Sequence, residues 1–287
     1  ELENSIEYYK KFIDEDPYSE YAWFNLGNIY VKLDQFENAV EAFEYSIAID
    51  EEYSSAYINI SDALIKLEKF DQAKKYLDRS LSLDGPSPEI YSCLGNVNFY
   101  LEDYSTSISF YQKSIKIDQM FKESYFGLGR SLSKLDKWFE AIHFFKKAYK
   151  IDNKNIEYVK SLAYAEFKVG NLVSSIDLYS KAVEMQPDDY KLSLDFSLIY
   201  YESGDINKAI DIIDQAIEES PGESLLYYRL VIYLMDAGRY KESINVLESA
   251  LSLNFDNHDV LFDFVPNFES QSALIRVINQ FKNSGNR

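Results

Sequence analysis

A chain of 287 residues with 48 acidic and 29 basic side chains carries a formal net charge of −19 at pH 7. That balance argues against nucleic acid and anionic membrane surfaces, which are bound through cationic neutralisation of phosphates, and instead keeps a long exposed surface soluble. Apolar residues make up 46% of the chain, enough for a continuous core, yet no stretch approaches the roughly 18 apolar residues of a membrane span.

The first residues already carry a helical spacing, with Ser5, Tyr9 and Phe12 preceding Pro17. Beyond them, small residues recur at Gly27, Ser61, Gly95, Gly129, Ala163 and Ser197, with Val231 as a looser seventh rung, and each step is 34 residues (61 − 27, 95 − 61). A large apolar residue precedes each rung: Leu26, Ile60, Leu94, Leu128, Leu162, Phe196 and Leu230. A second small position falls at Ala39, Ala73, Ser107, Ala141, Ser175, Ala209 and Ser243, and a third at Ser46, Ser80, Ser114, Ala148, Ala182, Ala216 and Ala250. A fixed period of roughly 20–50 residues means one supersecondary unit, repeated and stacked. Each unit reads as a helical stretch, a turn and a second helical stretch. The small residues fall where two helices approach closely, and aromatic residues such as Trp23, Tyr57, Tyr91 and Tyr125 fill gaps between pairs. In the last three units the turn holds Gly170, Gly204 and Gly238, which suit a left-handed helix terminus. In the first four it holds Asp34, Glu68, Glu102 and Asp136, which fit that conformation less easily.

The motif at Trp23–Tyr30, W-F-N-L-G-N-I-Y, continued by Ala39, Phe43 and Ser46, resembles the tetratricopeptide repeat. The resemblance covers seven units over residues 20–257. Departures are local: Asn98 and Glu166 replace a large apolar residue, Ser193 replaces an aromatic one, and the unit-ending proline survives only at Pro17, Pro187 and Pro221. The resemblance implies an all-α fold, a right-handed superhelical solenoid of antiparallel helix pairs. Residues 1–19 then match the second helix of a truncated repeat, since Ser5, Tyr9 and Phe12 share its offsets, and the chain is expected to be a piece of a longer protein. Residues 258–287 are expected to form atypical capping helices and a frayed tail, with Pro266 interrupting an eighth unit and a last helix over Ser270–Phe281.

In tetratricopeptide arrays the first helices line a concave face, and the resemblance implies that peptides lie there. The inward positions are Asn25, Asn28, Lys32, Asn59, Asp62, Lys66 and Asn96, then Arg130, Lys134, Tyr164, Lys168 and Tyr201. An asparagine side chain both donates and accepts, so a row of them can hold a peptide backbone with little sequence preference. Lys32, Lys66, Lys134 and Lys168 share one offset and form a stripe suited to a carboxylate, broken at Tyr100. The family's two-carboxylate clamp is only partly matched: Asn28 and Asn59 fit it, but Glu89 and Cys93 stand where its later cations belong. The second half of the groove reads as apolar through Tyr164, Phe167, Leu194, Leu198, Tyr201, Tyr228, Ile232 and Met235. Such a surface marks an interaction site unless the C-terminal helix or tighter packing covers it.

Chemistry of other kinds has no sequence support. There is no glycine-rich phosphate loop, C-x-x-C or H-E-x-x-H, and so no cofactor, metal site or catalytic centre is expected. His143 and His258 are too far apart in an array to share a metal, and Cys93, the single cysteine, can form no intrachain disulfide. The expected function is a scaffold that holds a peptide segment of a partner protein in its groove. The alternative is a substrate-docking or regulatory arm of a larger, catalytic protein. Self-association through the open N-terminal end and a cytoplasmic location complete the expectations.

Overall fold

The computed structural model describes residues 2–264 and 272–284, and among them all regular structure is helical. The first helices are α1 (Leu2–Glu15), α2 (Glu20–Lys32), α3 (Phe36–Ile49), α4 (Ser54–Lys66), α5 (Phe70–Asp84), α6 (Pro88–Tyr100), α7 (Tyr104–Ile117), α8 (Lys122–Lys134) and α9 (Trp138–Ile151). They continue as α10 (Ile156–Lys168), α11 (Leu172–Met185), α12 (Tyr190–Glu202), α13 (Ile206–Glu219), α14 (Ser224–Asp236) and α15 (Tyr240–Leu253). A 3-10 turn at Phe255–Asp259, α16 (Val260–Phe264) and α17 (Ser272–Ser284) complete the order. The even-numbered helices from α2 to α14 start at Glu20, Ser54, Pro88, Lys122, Ile156, Tyr190 and Ser224, each 34 residues after the last. Each packs most heavily on the next helix in the chain.

All seven turns within pairs place one residue in the left-handed region. Asp34, Glu68, Glu102 and Asp136 adopt φ between 55° and 60°, the same left-handed region as Gly170, Gly204 and Gly238. At six of the seven, all but the Glu102 turn, the amide after that residue reaches back to close the helix end, as in Gln35 N–H to Tyr30 O (2.9 Å), Lys69 to Leu64 (2.9 Å) and Asn171 to Glu166 (2.9 Å). This is the double hydrogen-bond pattern that satisfies orphan carbonyls. The repeat therefore imposes the conformation even where a side chain must bear it, at about 1–2 kcal/mol for an L-residue. Glu68 and Glu102 are exposed, so their side chains hold nothing in place. Glu68→Gly and Glu102→Gly are each expected to raise stability by about 0.5–1 kcal/mol, the relieved strain less glycine's extra unfolded-state entropy. Urea midpoints of the two variants check this; a fall in either would contradict it.

A packing ladder runs through the second helices. Phe43, Leu77, Tyr111, Phe145, Tyr179, Ile213 and Leu247 stand 34 residues apart and none is more than 2% exposed. Each aromatic member that faces a glycine lies flat against backbone. An added Cβ at Gly27 would sit 2.6 Å from the Phe43 ring, at Gly95 2.7 Å from Tyr111, and at Gly129 2.6 Å from Phe145. Serines at small positions satisfy their hydroxyls on backbone, as buried polar groups must. Ser107 Oγ donates to Gly95 O and Ser175 Oγ to Ala163 O, both at 2.8 Å.

Residues 1–153 form one compact unit and residues 154–287 another. In the first, α1 packs on α2 as α3 packs on α4. The first helices α2, α4, α6 and α8 also touch one another in succession, whereas no successive second helices pack to that degree. That asymmetry puts the first helices on the inner side of the stack. In the second unit, α14 is the most enclosed helix, with a buried run from Tyr228 to Met235. It packs against α13, α15, α16 and the 3-10 turn, and Leu261, Leu274 and Ile278 join the same core. Pro266, expected to break an eighth repeat, lies outside the described residues, as does the end of the tail at 285–287.

Candidate functional site

In the first unit the inner face is built by α2, α4, α6 and α8, and neighbouring helices are tied across it by polar pairs. Asn59 Nδ2 donates to Asn28 Oδ1 at 2.7 Å. One pair further along, the Cys93 thiol donates to Asp62 Oδ1 at 3.7 Å. Both pairs are 31 residues apart (59 − 28, 93 − 62), one helical turn short of the repeat. At the next junction Gly127 has no side chain to offer, and the Tyr111 ring from α7 occupies the space: a Cβ on Gly127 would lie 2.2 Å from it. The Tyr111 hydroxyl donates to Asn96 Oδ1 at 2.6 Å.

These bonds use only part of each amide's capacity. Asn28 and Asn96 each give up a carbonyl oxygen and keep an NH2 group, while Asn59 keeps its carbonyl. Asn25 is half-buried on α2. Asp62 is open to the groove, yet desolvation by the protein around it pushes its carboxyl up to about 6, against the opposing effects of the Cys93 thiol and the Lys66 charge. Burial likewise pushes the Cys93 thiol well up, so this cysteine is a neutral hydrogen-bond donor in the wall and no nucleophile.

Arg130 on α8 closes this face. Its guanidinium lies 4.1 Å from the Phe99 ring centre and 5.8 Å from those of Tyr100 and Phe126. A cation held over an aromatic face gains about 0.5–2 kcal/mol. Phe99 is buried and meets Tyr100 and Tyr104 edge-on, so the shelf is firm. Lys32, Lys66 and Lys134 stand exposed on the same helices and form no ion pair among the described residues.

The second unit carries a different surface. Tyr164 is exposed, with Lys168 Nζ 5.4 Å from its ring centre. The Tyr201 hydroxyl donates to Asp236, and its ring stacks on Tyr233 at 4.7 Å. Phe167, Leu194 and Leu198 are half-buried. At the far end of the groove the apolar residues are covered, the alternative that the sequence offered: Tyr228, Ile232 and Met235 are buried, with Tyr228 bonded to Asn254 O at 2.9 Å. At the repeat positions that hold Asn25 and Asn59 in the first unit, this unit has Asp195 and a buried Arg229. Desolvation raises the Asp195 carboxyl, with Lys160 and Arg229 opposing the rise.

His143 is exposed, while His258 is half-buried with Nδ1 2.7 Å from Phe255 O. Among the described residues no group of three or more His, Cys, Asp or Glu could hold a metal ion, and no helix is long and apolar enough to cross a membrane. A cleft of about 530 Å³ between α1, α2 and α3 is lined by Lys10, Asp14, Trp23, Asn38, Glu41 and Tyr45, and none of the inner-face residues borders it.

Stacked helix pairs of constant length, closed by one recurrent turn and tied across their first helices, define a helical repeat array. Family profiles described as tetratricopeptide repeat match residues 20–53, 54–86, 122–155, 166–231 and 225–257. The chain belongs to the tetratricopeptide repeat family. The stretch between the second and third matches holds α6 and α7, which keep Gly95, Ser107 and Tyr111 in register and depart from the motif at the buried Asn98. Asn98 satisfies its amide on Leu94 O at 2.7 Å.

Three solved structures show the same fold. A chain of the APC/C hetero-tetramer Cut9-Hcn1 is 19% identical with a TM-score of 0.70 over 82% of this chain; the match spans 46% of that chain. The C-terminal part of a TPR repeat-containing protein from Cytophaga hutchinsonii is 17% identical, TM-score 0.62, covering 84% of this chain and 99% of that one. A thermophilic TPR protein of Thermus thermophilus is 16% identical, TM-score 0.57, covering 64% of this chain and 100% of that one. No curated protein matches the sequence significantly.

Proposed function

We propose that the chain is a protein-interaction scaffold whose first unit holds a peptide segment of a partner on the inner face of α2, α4, α6 and α8. One observation carries this reading. The polar pairs across the face leave amide donors and acceptors of Asn28, Asn59 and Asn96 unused in a single row, with exposed lysines beside them. A peptide backbone offers the complementary set at every residue. Tetratricopeptide proteins are generally non-catalytic scaffolds, and the site residues offer hydrogen bonding without an activated nucleophile.

Panning a phage library of random peptides on the protein tests the reading, with the Asn25→Ala/Asn59→Ala/Lys66→Ala variant as comparator. Each lost hydrogen bond contributes about 0.5–1.5 kcal/mol, so selected peptides should bind the triple variant about tenfold more weakly or worse. Unchanged affinity in a variant with the parent's melting curve would remove the inner face from the account. If the chain works as the docking arm of a larger protein, the same face does the docking.

A further inference from the structure

We infer that Arg130, seated on the Phe99 ring one turn along α6 from Asn96, receives one side-chain carboxylate, from glutamate or aspartate, of the segment held on the inner face. The inference rests on the peptide reading above and adds the chemistry of one ligand group.

Acids outnumber bases in this chain, and several of its cations sit in ion pairs: Lys122 with Asp152 at 2.6 Å, Arg239 with Glu242 at 2.6 Å, Lys160 with Glu157 at 3.5 Å. Arg130 does not. Among the described residues its guanidinium has neither a carboxylate partner nor a side-chain hydrogen bond, and it lies over aromatic rings. Stacking occupies the faces of a planar guanidinium and leaves its edge, where the N–H donors lie, free for a second partner.

The neighbouring group is also a donor. The Tyr111 hydroxyl already satisfies the Asn96 carbonyl, so what Asn96 has left to offer is its NH2. Arg130 belongs to the same corner: burial drives the Tyr111 phenol upward, and the Arg130 charge is close enough to oppose that shift. A corner with donors only, one of them a fixed cation, matches an anion with two acceptor oxygens. Net charge also limits the guest. A protein at −19 repels a run of acids, whereas one carboxylate in an otherwise neutral or basic segment meets the Arg130 guanidinium.

Phage-displayed random peptides fused through their carboxyl termini provide the test, because no terminal carboxylate is then available. Selected sequences should carry a conserved Glu or Asp. A selected peptide, synthesised as the C-terminal amide, is then compared with its Glu→Gln or Asp→Asn counterpart on the wild type, Arg130→Gln and Arg130→Lys. Loss of one charge-assisted bond should weaken binding about tenfold or more for either change alone, with little further loss when both are made. Arg130→Lys keeps the charge but not the flat fork, and should fall between wild type and Arg130→Gln. Selected peptides that depend on Asn25, Asn59 and Lys66 but lack an acidic residue, or ignore Arg130→Gln, would overturn this inference and leave the groove reading standing. Failure to select any peptide would overturn both.

Discussion

Phe145→Ala is expected to destabilise the first unit by about 3–5 kcal/mol, the range for truncating a fully buried aromatic ring. The ring is 2% exposed. It rests on the backbone of Gly129, where even a methyl group would lie 2.6 Å away, and packs on Phe126 at 5.8 Å between centres. Removing it strands two helices, because the glycine opposite has no side chain to move into the void. Urea denaturation monitored by circular dichroism gives the loss. Hydrogen exchange should place the damage in α8, α9 and their nearest neighbours, since repeat arrays couple mainly to adjacent pairs. A cost below about 1 kcal/mol would show that the ring is not the wedge described.

The second large effect belongs to Tyr111, which is 1% exposed and serves two purposes. Its ring fills the space over both Gly95 and Gly127, so Tyr111→Ala should also lose about 3–5 kcal/mol. Its hydroxyl holds Asn96. Tyr111→Phe keeps the ring and drops that bond, for a loss of about 0.5–1.5 kcal/mol in stability. The phenylalanine variant should nevertheless weaken peptide binding, because Asn96 loses its fixed orientation. Melting curves and peptide titration on the same pair of variants separate the two roles. Equal stability losses for Ala and Phe would contradict the wedge; unchanged binding by the Phe variant would contradict the orienting role.

Much of the fold is legible in the residues because a 34-residue period repeats the same local packing problem. Small residues mark close helix approach and large ones mark the wedge, so each start from Glu20 to Ser224 comes directly from the spacing. The turns are harder to read. Glu68 and Glu102 are poor left-handed residues, yet they take the glycine conformation because the helix end that precedes them sets the backbone. Trp23 carries the motif's leading aromatic position but is only half-buried, stacked on Tyr45 at 4.4 Å with its indole N–H on Pro17 O at 3.0 Å.

The candidate site is legible as a row of positions and not as a set of contacts. Neighbours across the inner face differ by 31 residues, as in Asn28 with Asn59, Asp62 with Cys93 and Phe99 with Arg130. That offset is present in the sequence but emerges only when the pitch of adjacent helices is known. Which of the two readings of the apolar end of the groove holds, open surface or covered core, is not legible for a different reason. The segment that helps to enclose α14, from Phe255 to Phe264, falls beyond the last repeat, and a period cannot describe what lies outside it.

The most direct measurement tracks the side-chain amide signals of asparagines by NMR while a selected peptide is added. Shifts are expected for Asn28, Asn59 and Asn96 on α2, α4 and α6, with the exposed Asn38 on α3 unchanged. Shifts at Asn38 with Asn28, Asn59 and Asn96 unmoved would place the guest elsewhere and contradict the inner-face reading.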